Sequence, residues 1–329
     1  MAIQVSGTQV IGNSRELTNI ASVDATTVAA FGAAGVGGGG VEGLYSWQVS
    51  TTADSTTLSQ GPHTSDTNGN TVIICGSGGK IARSTNNGLT WSVYQAATTG
   101  ICNLILYNPD LSQWVLTDAD GRIYTSSNDG VSFTQRRSHV GFQAIVDMVW
   151  TGSKYVGVAR GHASVSTNGT SWTNYAIGDG STSAYYPHIR YDGTTFVASE
   201  NYYALGQYYV NTSTNGTSWT RRQNAVTAIS SLAYGNGVWT MLTGQKDCYT
   251  STNGISWTKR ADTGIGIYNA RWSGEYFVGY FQSAIAYSSD GISWYGQFVP
   301  SSGTSGGYTS NSTRHFFHHT GGSVALSDK

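Results

Sequence analysis

Tyrosine, rather than acid, dominates the side chains of this sequence that are equipped for chemistry. Seven candidates gather in one stretch: Tyr185, Tyr186 and His188, followed by Tyr202, Tyr203, Tyr208 and Tyr209. A flat phenol ring stacks on an apolar face while its hydroxyl keeps a hydrogen bond, so such a group suits recognition of a glycan or a protein surface. The competing reading is that the same rings pack on a neighbouring loop or on another subunit. Acid–base chemistry has less material. There are four glutamates, Glu16, Glu42, Glu200 and Glu275, and the last lies in a turn. Glycoside hydrolysis generally needs two facing carboxylates, which no local pattern supplies. The pairs Arg136-Arg137, Arg221-Arg222 and Lys259-Arg260 recur at equivalent places and read as solvated charges on an outer strand. His315-Phe316-Phe317-His318-His319 is the one dense histidine run. Strand alternation puts His315 and His319 on one face and His318 on the other, so a metal would need ligands from elsewhere, and the three read as structural. Gly37 to Gly40 precedes neither a helix pattern nor a lysine, which excludes a phosphate loop. No catalytic residue, cofactor or metal is expected, and the chain is read as a non-enzyme.

Composition narrows the classes further. Lys plus Arg number 17 against 18 for Asp plus Glu, a net charge of −1, so no field gathers nucleic acid or an acidic membrane. No run approaches 18 apolar residues, and no basic start leads into an apolar stretch, so neither a membrane span nor a secretory signal is expected. Cys75, Cys102 and Cys248 are odd in number and lack CxxC spacing, and they read as small core residues. With 43 glycines and 11% charged residues the chain reads as β-rich.

The elements that must position the tyrosines come from a repeat. One phrase recurs six times: STNNGLTW to Trp91, SSNDGVSF to Phe133, STNGTSW to Trp172 and again to Trp219, STNGISW to Trp257 and SSDGISW to Trp294. Its glycines, Gly88, Gly130, Gly169, Gly216, Gly254 and Gly291, are spaced by 42, 39, 47, 38 and 37 residues. Asn or Asp supplies a local side-chain acceptor, Gly takes a positive φ, and an aromatic residue follows as the next strand starts. Two further strands precede each phrase, and four short antiparallel strands per roughly 40 residues make a propeller blade. The tryptophans fall in repeat register and read as packing between blades. The interval of 47 residues carries its excess in Tyr202 to Tyr209, a turn between second and third strands, while Tyr185, Tyr186 and His188 lie in the connection leading into that blade. Both kinds of connection emerge on one face of a propeller, which would bring the tyrosines together.

The last unit stops before an outer strand. Leu44 to Ser50 lies ahead of the first complete unit and sets Trp47 where the phrase would put its aromatic ring, so it is expected to supply that strand. The predicted fold is all-β: a seven-bladed β-propeller over residues 41–329, closed by an N-terminal outer strand and preceded by a short attachment segment over 1–40. Within that segment Val5 to Ile11 alternates as a strand, Asp24 can cap a helix from Ala25 to Ala34, and Gly37 to Gly40 is a linker. The segment is too short to bury its own core and must pack on copies of itself or on a larger assembly.

Two resemblances follow. The phrase resembles the Asp-box, S-x-D-x-G-x-x-W, of sialidases and other propellers, matching at Ser84, Asn86, Gly88 and Trp91 and at Ser126, Asn128, Gly130 and Phe133; later copies are one residue shorter, and Asn mostly replaces Asp. The box is a folding element there and implies no catalyst. A sialidase site would need three arginines, drawn from Arg83, Arg122, Arg160, Arg190, Arg271 and Arg314, and the FRIP motif is absent. Residues 5–40 resemble the N-terminal segment of bacteriophage tail fibres through Asn13, Ser14, Arg15, Leu17, Asn19, Ile20, Asp24, Ala25, Thr26 and Thr27. That resemblance implies a virion protein, assembled in the host cytoplasm as a homotrimer, joined to other tail proteins through residues 1–40. The propeller would then be an adhesin for a host surface glycan or protein. The alternatives are a structural decoration or spike of the particle and a sialidase-like hydrolase.

Overall fold

The computed structural model describes residues 3–5, 8–11, 48–51, 64–96, 98–138, 144–225, 227–281, 284–298, 305–319 and 323–329. The chain divides into two compact units, Met1–Leu44 and Tyr45–Lys329. In the first, Ile3–Val5 pairs antiparallel with Thr8–Ile11. The single strand expected from Val5 to Ile11 is thus divided between two strands, Ile3–Val5 and Thr8–Ile11. The expected helix from Ala25 to Ala34, the glycine linker and Trp47 lie outside the described residues.

The second unit is a seven-bladed β-propeller, seven antiparallel sheets of four strands each. Blades 1 to 6 span residues 64–95, 102–137, 147–176, 189–225, 229–259 and 268–298, each with its strands in chain order. Blade 2 shows the plan: Cys102–Asn108, Gln113–Asp118, Ile123–Ser126 and Thr134–Arg137. Second strands are buried along most of their length, as Val72–Cys75 and Tyr155–Ala159 are throughout, because neighbouring blades cover both of their faces. Outer strands such as Thr134–Arg137 are largely exposed and polar. Two three-residue 3₁₀ turns are the helical elements among the described residues.

Blade 7 takes Ser305–Ser310, Arg314–His319 and Ser323–Asp328 from the C-terminal end and Gln48–Thr51 from the N-terminal side. Gln48 stands opposite Leu326 and Thr51 opposite Ser323, so the ring is closed by the early strand the sequence nominated. Closure removes the two open sheet edges that the unclosed ring would present.

The recurring phrase is the hairpin between third and fourth strands, and its hydrogen bonds repeat. The serine hydroxyl accepts the glycine N–H, at 2.9 Å for Ser84 with Gly88 and 2.8 Å for Ser213 with Gly216, and donates to the Asn or Asp carbonyl or carboxylate oxygen. The same Asn or Asp oxygen accepts N–H groups beyond the glycine, as Asn215 does from Thr217 and Ser218. The indole N–H of each tryptophan that ends a phrase donates to the glycine carbonyl, at 3.0 Å for Trp91 and 3.1 Å for Trp219. Amide and carboxylate serve equally as acceptors, which is why Asn replaces Asp without loss of the turn. The extra residue in the first two copies is Asn87 or Asp129, held at φ 58° just before the glycine.

These glycines also carry the packing between blades. A methyl group on Gly216 of blade 4 would lie 2.8 Å from Val156 Cγ2 of blade 3, and one on Gly254 of blade 5 would lie 2.6 Å from Val197 Cγ2 of blade 4. The same relation crosses the closure, where a methyl on Gly88 of blade 1 would meet Phe316 Cε1 of blade 7 at 2.8 Å.

The paired basic residues stand on the exposed outer strands, as expected. Their heads also tie back to the third strand: Arg136, Arg222 and Arg260 donate through Nε to Thr125, Thr212 and Thr250 at 2.8, 2.9 and 2.8 Å. Their partners in each pair are also engaged, Arg137 with the Gly121 carbonyl at 3.0 Å and Lys259 with Asp247 at 2.6 Å. A long side chain on an outer strand covers its neighbour while keeping its head wet. The histidine run is wholly buried; His315 Nδ1 bonds the Tyr308 hydroxyl at 2.6 Å and His318 Nε2 bonds Ser65 Oγ at 3.1 Å.

Two outcomes follow. Gly216→Ala combines a left-handed φ of 71° with the Val156 contact, whereas Gly152→Ala carries a φ of 88° with open space around it. The second should cost about 1–2 kcal/mol for backbone strain alone, and the first about 1–3 kcal/mol more for overpacking. Equal midpoints in urea titration would mean the box glycines do not key the blades. A chain beginning at residue 45 should melt cooperatively, whereas one beginning at residue 52 should aggregate, and a soluble, cooperatively melting shorter chain would count against strand closure.

Candidate functional site

The first strands of the blades surround the propeller axis, and where they begin the blades enclose a cavity of about 210 Å³. Its wall includes Thr64 of blade 1, Asn103 of blade 2, Asp147 of blade 3, Ser230 of blade 5 and Asn269 and Arg271 of blade 6. Tyr185, Pro187 and His188 reach it from the connection into blade 4. Asp147 is buried, and Arg190 Nη1 lies 2.5 Å from its Oδ2, which also accepts the Ile189 N–H at 3.1 Å. Its other oxygen accepts the Met148 N–H at 3.0 Å. Burial would raise this carboxyl, but the two nearby guanidiniums of Arg190 and Arg271 win and hold it below the usual carboxylate range.

His188 donates through Nε2 to the Ser230 carbonyl at 3.0 Å. Burial, reinforced by the guanidinium of Arg190, pushes its pKa down to about 4. It is therefore a neutral ring at physiological pH. Asn269, on the same wall, holds a positive φ of 44°, uncommon for any residue but glycine, at an irregularity in the first strand of blade 6.

Of the six sequence-nominated tyrosines, Tyr185 lines this cavity, and the other five stand elsewhere in or beside blade 4. The connection into blade 4 is zipped to the end of the long second strand Phe196–Tyr202 by paired backbone bonds between Tyr185 and Asn201 at 3.1 and 2.8 Å. Tyr185 lines the cavity, with the Arg160 guanidinium 5.7 Å from its ring centre. Tyr202 shares a hydrogen bond with Ser181 at 3.1 Å. Tyr203 is 60% exposed and meets Tyr208 edge to face at 6.1 Å. Tyr209 lies under Arg221, whose guanidinium is 4.4 Å from its ring centre. Tyr186 is fully buried and donates to the Ile177 carbonyl at 3.1 Å, so its ring belongs to the interior of the blade rather than to a binding surface. His188, likewise buried, can present at most a ring edge to the cavity.

Two residues at the mouth escaped the sequence reading, Tyr268, which is 47% exposed, and Tyr280, which stands opposite Tyr268 in the sheet, and a third, Arg271, carried no assigned place among the six arginines. A signal for Arg271 existed. Counting back three places from the aromatic that ends each first strand gives Leu104, Asp147, His188, Ser231 and Asn269, and one place back gives Leu106, Val149, Arg190, Ala233 and Arg271. Polar residues at positions that are apolar in sister blades mark the lining of the axis.

At the opposite mouth the strand-ending aromatics themselves, Trp150, Tyr191, Tyr234 and Trp272, line a second cavity of about 530 Å³, again with Arg190 and Arg271 in its wall. Each packs on an aromatic ring of its own second strand, as Trp150 does on Tyr155 at 4.6 Å and Tyr191 on Phe196 at 4.3 Å.

Glu200, Tyr186 and Arg221 form a separate cluster inside blade 4. Glu200 is fully buried, accepts from Arg221 Nε at 3.0 Å and from Asn211 at 2.8 Å, and its neighbourhood, after burial itself, raises the Tyr186 phenol. Such a cluster rigidifies the blade and is closed to a substrate. Among the described residues no group of three or more His, Cys, Asp or Glu is placed to hold a metal, and no helix is long and apolar enough to cross a membrane.

No protein-family model and no curated protein sequence matches the chain. Solved structures do share the fold. A catalytically inactive variant of virginiamycin B lyase from Staphylococcus aureus with quinupristin superposes with a TM-score of 0.71 at 11% identity, covering 87% of this chain and 99% of that one. YCF48 bound to D1 peptide gives 0.68 at 11% identity over 86% and 97% of the two chains. The WD40 propeller domain of Doa1 gives 0.63 at 11% identity over 85% and 96%. At such identity the likeness extends to the propeller and no further.

The two depressed histidines set a pH dependence. Burial pushes both His188 and His315 from 6.5 to about 4. Between those values the unfolded chain binds protons that the folded chain refuses, so stability is intact above pH 6.5 and is lost as pH falls toward 4. The expected slope is roughly 1.4 kcal/mol per pH unit for each histidine. Urea titrations at pH 7 and pH 5 should show it, with His315→Asn flattening the profile; a stability that is level across that range would mean the rings are not held neutral.

Proposed function

We propose that this chain is a bacteriophage virion protein, a tail fibre or receptor-binding adhesin, whose propeller recognises a host surface glycan or protein without transforming it. The reading assigns residues 1–40 to attachment to other virion proteins and to trimer formation, on their resemblance to tail-fibre segments. The observation that carries the binding role is the convergence of Tyr185, Tyr203 and Tyr268 around the mouth of the axial cavity, with two of these rings exposed. Exposed tyrosines fixed by a rigid sheet lose little entropy on contact and offer both a stacking face and a hydroxyl. YCF48, a propeller of similar shape, has been solved with a peptide, so recognition is among the uses of this scaffold.

Leu205 favours a second reading. It is 61% exposed at the tip of the same hairpin, and an exposed leucine beside Tyr203 suits burial against another particle protein, as in a decoration or spike.

The test is the full-length protein on an array of bacterial surface polysaccharides. Replacing Tyr203 and Tyr268 together with alanine should weaken retention at least about tenfold, because losing a stacking ring at a binding centre costs on the order of 2 kcal/mol. The melting temperature should hardly move, since both rings are exposed, and no reducing sugar should be released. Undiminished retention by the folded double variant would remove the binding role from this face.

A further inference from the structure

The guanidinium of Arg271 is the least satisfied charge on the axis. Its Nε is buried and has no hydrogen-bond partner, and its nearest carboxylate oxygen, Asp147 Oδ1, stands 3.9 Å away. Asp147 is already engaged by Arg190 and by two backbone N–H groups, so little of its charge remains to be shared. Asp66 feels the same guanidinium, but its oxygens accept the N–H groups of Thr67 at 2.9 Å and Tyr107 at 2.7 Å, and burial raises its pKa. The Arg271 side chain is 29% exposed, but a buried Nε without a partner is costly, and a planar guanidinium is shaped to take a carboxylate through two parallel N–H donors. The cavity beside it is about 210 Å³, room for one small ring rather than for a chain. Around that space stand the amides of Asn103 and Asn269, the Ser230 hydroxyl and the rings of Tyr185, Tyr268 and Tyr280. Amides and a hydroxyl match the hydroxyls of a sugar, and phenol rings match its C–H face.

We infer that the axial mouth is a subsite for a single carboxylate-bearing sugar of the uronic acid class, with Arg271 taking the carboxylate and the tyrosines flanking the ring. This rests on the reading of the face as a recognition surface and adds the chemistry of the ligand. Neighbouring sugars of an acidic polysaccharide would then extend past Tyr203 and Tyr268.

Calorimetric titration of the full-length protein with glucuronate, glucose and acetate tests it. Glucuronate should bind, with glucose and acetate each at least about tenfold weaker, since one lacks the charge and the other the ring. Arg271→Gln should weaken glucuronate by a similar factor, while Arg136→Gln on an outer strand leaves it unchanged. If Arg271→Gln does not fold, Asn103→Asp, which sets a carboxylate on the facing wall, should abolish glucuronate binding on its own. Glucose or acetate binding as tightly as glucuronate, or affinity indifferent to both substitutions, overturns the inference. Retention on the polysaccharide array with no Arg271 dependence would sink the uronate subsite and leave the adhesin role standing. Arg271-dependent glucuronate binding with array retention unaltered by the paired tyrosine substitutions would do the reverse.

Discussion

Six of the seven blade junctions depend on the close approach of one blade's glycine to the second strand of the blade before it. The serine hydroxyl, the Asn or Asp oxygen and the indole N–H tie the box into one shape, and the glycine at its apex leaves a gap that Val156, Val197 or Phe316 fills. Interiors are packed so tightly that a gap of one methyl group is a specific address. Blade order and spacing are thereby written into a seven- or eight-residue phrase. Because the relation also holds between Gly88 and Phe316, the last blade receives the first in the same way that interior blades receive one another. The one junction without a box glycine lies between blades 6 and 7, where the outer strand is supplied from the other side of the chain.

That regularity is why the architecture was legible in the amino-acid sequence. Gly, Asn and Trp at fixed offsets announce a hairpin by local rules, and the period of about forty residues announces the blade. The incomplete last unit even called for a strand from the early part of the chain, which Gln48–Thr51 supplies. The site was less legible, because a binding surface lives where a repeat departs from itself. Tyr203 stood out as an insertion, but Arg271 and Asn269 differ from Leu106 and Leu104 only by substitution within a regular strand. Tyr186 shows the opposite failure: its position in a connection suggested exposure, yet the connection folds inward and its hydroxyl satisfies the Ile177 carbonyl. The basic pairs were legible as exposed outer-strand charges, but not their reach to a threonine of the third strand, which strand alternation alone does not reveal.

The axis shows how a stable ring accommodates a polar centre. Outside the mouth the blades are held by apolar and aromatic contacts, with Trp114 and Trp239 fully buried. On the axis itself, Asp147, Arg190, His188 and Asn269 come from three different blades and are bound to one another or to backbone. A network of that kind restrains blades that share no box contact, and it fixes the direction of whatever groups remain unpaired.

The closing strand has a bearing on synthesis. Gln48–Thr51 leaves the ribosome about 275 residues before its partner Ser323–Asp328 does. At translation speeds of roughly 5–20 residues per second it waits on the order of 15–50 s without a mate. During that interval it is an edge to which another nascent chain could attach. Its length of four residues limits how much ladder a wrong partner can form. The brevity of the strand is thus a safeguard for the growing polypeptide as much as a feature of the finished ring.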